Sequence, residues 1–536
     1  MLPIYEDVIL KITEQMTDKD KIRFTATSKT MDKLKYKLIY TELVHIRKIE
    51  HLPYLHNFEH IQILLGYIGW PNNKNVRMES IGLKILKHTK YVHYILHPGA
   101  EEQFFDRFSG KKNPYANMIT HLTFQDTFDS PIQITIPSSV IHLKFGASFN
   151  KSIIGLLPSS ITHLTFGFRF NQPINNHVVF YDHNDKPVSR STIDANTHLP
   201  LDNYLRKVTH NSIPSSVTHL TFGYYFNQSI QNNIPPSVIH LTFGDCFNQS
   251  IQNNIPPSVT HLTFGDCFDQ PIQNNIPSSV AHLTFGEKFN QSIQNNIPPS
   301  VTQLTFGDYF DMPIKNNLPP YLTHLAFGRY FDKSIKDSIP KSVTHLTFGH
   351  NFNESIKNNI PASVIYLEFG DLFDRLIKGN IPKHVTHLIF GRNFNKSIKN
   401  ALPPTITHLI FGDMFDKPIA SNIPQSVTHL TFGDMFNRSI KNAIPVGVTH
   451  LTFGRNFNKP IKNFLPSTIT HLVFGDMFDQ KIKDYIPMTV THLTFGFNFQ
   501  QSINKIPASI EQINLSKNYS HKIIRRVLKN VKWDNY

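Results

Sequence analysis

Histidine recurs at one fixed interval through most of this 536-residue chain: His219, His240, His261 and His282 each follow the last by 21 residues. A row of imidazoles could ligate metal, but a metal site needs a defined ligand set with supporting hydrogen bonds, and a uniform row defines none. We therefore expect a solvated ladder in which like side chains pair across neighbouring strands. Protonating many adjacent rings should strain it below about pH 6. A second cluster, His177, Asp182, His183 and Asp185, has no metal-motif spacing, so no metal is expected there either. Cys246 and Cys267 stand one interval apart, near enough across stacked units for a disulfide. In a reducing cytosol they are expected as free thiols. No HExxH, phosphate loop or nucleophile–base–acid set occurs, so no catalytic residue, enzyme activity or cofactor is expected.

What positions the histidines is a repeat. Taking Val217 as reference, equivalents follow at 238, 259, 280, 301, 322, 343, 364, 385, 406, 427, 448, 469 and 490, and Ile119, Val140 and Ile161 carry the same phrase, for 17 copies. Leu falls three residues after the reference, Phe five, a second Phe nine and Ile thirteen. The alternation in Leu-Thr-Phe predicts a short strand with Leu and Phe on one side, His and Thr on the other. Gly follows the strand in 16 of 17 copies, at a turn unfavourable to a side chain. The Ile-Pro near each boundary opposes a helix. A 21-residue unit cannot cover its own apolar face, so neighbours must stack at the ~4.8 Å spacing of parallel strands, burying columns of Leu, Phe and Ile. That explains the 43 Phe against two Trp. Residues 196–212 read as one decayed copy and 178–192 as an inserted polar loop.

The unit resembles the leucine-rich repeat in outline, and more closely the FNIP repeat, through Phe226, Asn227, Ile234 and Pro235 and their equivalents. That resemblance implies protein interaction and a provenance among amoebae and the large DNA viruses that infect them. The expected fold is a β-rich repeat solenoid, leucine-rich-repeat-like, with a parallel strand ladder over residues 116–516.

Residues 1–44 differ entirely. Val8, Ile9, Ile12 and Met16 share a helical face, Thr17 with Asp18 and Asp20 suits the start of a second helix carrying Ile22 and Phe24, and Ser28 suits a third with Met31, Leu34 and Leu38 inward. One reading is an N-terminal cap for the solenoid. The other is that the segment resembles an F-box, through Leu2, Pro3, Asp7, Val8, Ile9, Ile12, Asp20, Ser28 and Lys29, with Met31 where the family has a bulky aromatic. The resemblance implies that Leu2, Pro3, Val8, Ile9, Ile12, Ile22, Phe24 and Met31 dock a Skp-type adaptor of a cullin–RING ubiquitin ligase. Residues 45–115 read either as a linker or as irregular first coils. Over 517–536, Ile523, Ile524, Val527, Leu528 and Val531 form an apolar stripe that predicts a C-terminal capping helix in preference to a basic membrane-surface helix.

A uniform ladder carries no specificity, so target contacts are expected where it breaks: Tyr366 and Glu368 replace His and Thr in one coil, and Ile389 and Ile410 replace Thr in the next two. After the repeat Ile runs Gln at 231, 252, 273 and 294, then Lys at 315, 336, 357, 378, 399, 441, 462 and 483. With no interleaved exposed aromatics and no known nucleic-acid module, this row reads as a solvated face, and nucleic acid is not expected despite a net charge of +14.

The acidic start MLPIYEDVIL lacks the layout of a signal peptide, and no apolar run of membrane-spanning length occurs. A monomer is expected in the cytoplasm, that of the host cell if the protein is viral. Its expected function is that of a substrate receptor bringing a protein target to the ligase. The alternatives are a scaffold or decoy using the repeats alone and, third, a basic solenoid binding nucleic acid.

Overall fold

The computed structural model describes residues 11, 13–27, 32–49, 52–54, 57–65, 89–98, 118–175, 177–181, 187–188, 206–210, 212–523, 527 and 529–534. The chain forms two units, residues 1–259 and 260–536. In the first, helix α1 (Asp18–Thr25) begins at Thr17, whose Oγ1 accepts from the Asp20 N–H, as the sequence suggested. A 3-10 turn follows at Lys33–Tyr36, then β1 (Val44–His45), the short α2 (Ile46–Ile49), β2 (His60–Leu65) and β3 (Tyr91–Leu96). β4 (His121–Phe124), β5 (His142–Lys144) and β6 (His163–Thr165) carry the first regular repeats.

β1, β2, β3 and β4 pair in parallel in that order, so the strands described within 45–115 join the ladder. His45, Gln62, His93 and His121 share one column, so the chain takes steps of 17, 31 and 28 residues before settling to 21. The early coils join the ladder because what must match is the strand, while the return path can vary in length.

β7 (His177–Tyr181), β8 (Pro187–Val188) and β9 (Arg206–His210) leave the ladder as a separate antiparallel sheet. β10 (His219–Thr221) then pairs directly with β6, aligning His219 with His163, and β11 (His240–Thr242) follows it. The decayed copy read at 196–212 therefore adds no coil between β6 and β10. Its Arg206–His210 instead bonds to β7, and 196–205 lie outside the described residues.

The second unit runs from β12 (His261–Thr263) to β23 (His492–Thr494), one three-residue strand every 21 residues, all parallel and in register. β24 (Gln512–Ser516) and β25 (Val531–Asp534) close it. The C-terminal capping helix is corrected in part. Val527 is buried in a helical position, but Val531 pairs with Ile513 in a final parallel strand. The bonds offered by the open edge of β24 outweigh a helical apolar stripe in so short a segment.

Each coil buries its reference residue, Leu, two Phe and Ile; Val301, Phe310 and Ile314 are fully buried. Phe306 stacks on Phe310 at 3.8 Å within the coil, and Phe310 on Phe331 at 6.2 Å in the next. The Gly after the strand is required by the stacking. A Cβ on Gly307 would lie 1.7 Å from the Gly286 carbonyl oxygen. The turn after the repeat Ile holds Asn in the left-handed region, for example Asn358 at φ 57° and Asn400 at φ 52°.

Candidate functional site

The outer side of each strand presents His and Thr, and the residue before His is usually Thr as well. Thr323 Oγ1 donates to the Thr302 carbonyl of the coil before (2.9 Å) and sits 2.9 Å from His324 Nδ1. A hydroxyl has one hydrogen. Once it is donated to the carbonyl, Nδ1 must carry the proton and Thr Oγ1 accept it. The neutral imidazole then turns a bare Nε2 outward. Thr344–His345, Thr407–His408 and Thr449–His450 repeat the arrangement. Rings of adjacent coils stack, as His408 on His429 at 4.2 Å with an 11° interplanar angle. Such parallel rings aim their Nε2 lone pairs side by side instead of at one point. Among the described residues no group of three or more His, Cys, Asp or Glu is placed to hold a metal.

Burial, with neighbouring imidazoles second, holds His93 and His121 below the usual histidine range, to about 4 and about 3. His345, His408 and His450 shift in the same direction for the same reasons.

The substitutions singled out from the sequence lie together on this face. Glu368, Ile389 and Ile410 are consecutive in the Thr column, and Tyr366 stands in the His column beside His387. Tyr366 donates its hydroxyl to Glu368 Oε2 at 2.8 Å, and burial, aided by that bond, pushes the phenol up to about 12. The Tyr366 ring stands 5.8 Å from His345 and 6.1 Å from His387, so the close imidazole stack opens at this coil. Ile410 is exposed and Ile389 half-buried.

A second exposed row went unread in the sequence. Eight residues after the reference, Tyr309, Tyr330, Leu372, Met414, Met435 and Met477 all reach solvent on the turn between the fixed Gly and the second Phe. Because that position varies and neighbours an invariant Phe, it carried no periodic signal. Only an alignment of the copies would have shown its apolar bias.

Of the adaptor-contact residues, Leu2, Pro3, Val8, Ile9, Ile12 and Met31 lie outside the described residues. Ile22 and Phe24 lie on α1, whose buried residues are polar: Asp18, Lys21 and Thr25. Asp18 accepts from the Thr41 and Glu42 backbone N–H groups at 3.1 and 2.7 Å, and Lys21 Nζ donates to Asp18 and to the Ile39 carbonyl. These bonds anchor α1 to the segment leading into β1 and leave Ile22 47% exposed and Phe24 half-buried. Cys246 and Cys267 are half-buried and not joined as a disulfide, and Asp182, His183 and Asp185 lie outside the described residues. No helix among the described residues is long and apolar enough to cross a membrane.

The FNIP Repeat family matches residues 114–179 and 204–518 in overlapping segments. The chain is similar to a solved structure titled "The crystal structure of CroV588 a novel circular LRR protein structure". Identity is 33% and the TM-score 0.60, over 90% of this chain and 73% of that one. It is also 39% identical over 56 residues to "Putative F-box protein R638" of Acanthamoeba polyphaga mimivirus. That match takes in 10% of this chain and spans 42% of the relative's length.

Proposed function

This chain belongs to the FNIP repeat family, and on that premise we propose that it is a substrate receptor, joining a protein target to a Skp-type adaptor of a cullin–RING ligase. A leucine-rich-repeat-like solenoid is a fold typical of binding scaffolds, and the F-box relative points to protein interaction. The observation that carries the finer reading is the inverted character of α1. Its polar residues are satisfied inside while Ile22 faces out, which suits a helix that completes its apolar contacts in a partner's groove. The receptor works by proximity: the repeats hold the target, the N-terminal segment holds the ligase, and local concentration does the rest.

The test is co-purification of the full chain with a Skp-type adaptor, beside Ile22→Asp and an Ile9→Asp, Ile12→Asp double variant. Ile22→Asp opens no core, so loss of at least tenfold in affinity with unchanged thermal unfolding is the expected result. Equal capture by wild type and both variants, or none by any, returns residues 1–44 to a cap on the array.

A further inference from the structure

We propose that the lysine row of the second unit is a binding surface for an extended acidic segment of a protein partner. Lys315, Lys336, Lys357, Lys378, Lys399, Lys441, Lys462 and Lys483 occupy the same position in nearly consecutive coils, interrupted at Ala420, and all are exposed. Stacking sets them at a ~4.8 Å pitch, a distance at which ammonium groups repel.

The protein pairs part of a neighbouring cationic row. Three residues before the row, Lys333 pairs with Asp311, Lys396 with Asp374 at 2.6 Å and Arg438 with Asp416 at 2.8 Å, each carboxylate belonging to the preceding coil. No such partner meets any of the eight lysines among the described residues. On that row a cation is neutralised where the preceding coil offers Asp and not where it offers Asn, as for Arg375, Lys417 and Lys459, whereas on the parallel row none of the eight lysines is so paired.

The open row is also held in place. The Lys336, Lys357, Lys399 and Lys441 backbone N–H groups donate to the hydroxyl of the Ser two residues earlier at 3.3–3.4 Å. The following residue is fixed in the left-handed region, at φ 54° for Asp337 and 53° for Asn442. The Ile before each Lys is buried. The stems therefore leave a rigid edge in one line, with only their flexible ends to order on binding.

The chemistry favours carboxylates over nucleic acid. From Lys315 to Lys441, the stretch proposed to bind, the residues within two positions of each Lys are Ser, Pro, Ile, Leu, Asn, Asp, Gly and Ala, with no ring on which a base could stack; rings stand near the row only beyond it, at the half-buried Phe464 and Tyr485. A strand of Asp or Glu laid along those coils needs to span ~29 Å, about nine extended residues. The proposal rests on the reading of this chain as a protein-interaction scaffold and names the chemistry of one partner.

The experiment compares the full chain with a Lys357→Gln, Lys378→Gln, Lys399→Gln, Lys441→Gln variant. Gln occupies this position naturally at 231, 252, 273 and 294, so the fold accepts it. Probes are a fluorescent oligoglutamate of about ten residues and a thymidine oligonucleotide of about 20, titrated by anisotropy at two salt concentrations. The proposal expects salt-sensitive peptide binding, weakened at least tenfold in the variant, and weaker binding of the oligonucleotide. Absence of peptide binding, or equal binding by the variant, overturns it. Tighter binding of the oligonucleotide through the same lysines also overturns it, in favour of nucleic acid. Adaptor capture unchanged in the lysine variant, and peptide binding unchanged in Ile22→Asp, keep this proposal and the ligase reading separable.

Discussion

A single added carbon tests how tightly these coils stack. In Gly307→Ala the new Cβ would meet the Gly286 carbonyl oxygen, a backbone atom that cannot turn aside, so two coils must part. We expect a loss of at least about 1–3 kcal/mol in urea unfolding. Gly379→Asn is the contrast. Gly379 has φ 73° with open space around its Cα, and Asn fills the equivalent turn position at 358 and 400. That change should leave the unfolding midpoint within experimental error. The inner ring Phe310, with a Phe stacked from each neighbouring coil, should cost about 3–5 kcal/mol as Phe310→Ala, read in the same experiment. Such losses fall on the affected coil and its two neighbours, since each repeat touches only the next.

Strands add a property that single residues lack, a column of stacked imidazoles whose burial and mutual repulsion disfavour protonation at His93 and His121. His93 and His121 titrate well below 6.5 when folded and near it when unfolded. Between those values the unfolded chain binds more protons, so the stability present above pH 6.5 is lost as pH falls toward 4 and then 3. Thermal melts between pH 7 and pH 5 should register that loss. His93→Gln with His121→Gln should flatten that dependence, because Gln62 and Gln303 already stand in this column without a titrating group. The column was legible in the sequence because a strict interval of 21 admits one solution, in-register stacking. The tautomer was not, since it depends on where the Thr hydroxyl hydrogen goes. Nor were the first coils, where strands 17, 31 and 28 residues apart share one column without sharing a phrase. The C-terminal stripe misled for a related reason: Val527 and Val531 suit one helical face, but an open strand edge lay within reach of Val531.

At the scale of the molecule, the proposed receptor function puts its two contacts in different units, so they should fail independently. The proposed adaptor contact at Ile22 lies in the first unit, the proposed target contact at Tyr366, Glu368, Ile389 and Ile410 in the second. Those four residues could be picked out from the sequence only as departures from a phrase. The structure adds that three of them adjoin in one column and that Tyr366 and Glu368 are hydrogen-bonded to each other. Restoring the phrase with Tyr366→His, Glu368→Thr, Ile389→Thr and Ile410→Thr rebuilds a ladder the neighbouring coils already form, so stability should hold or rise slightly. Quantitative cross-linking in cells that express the chain should then show one group of partners lost from this variant and kept by Ile22→Asp, with adaptor subunits behaving in the opposite way. A partner set unchanged by the four reversions would move target recognition to another face, and the exposed row from Tyr309 to Met477 is where the same exchange would be tried next.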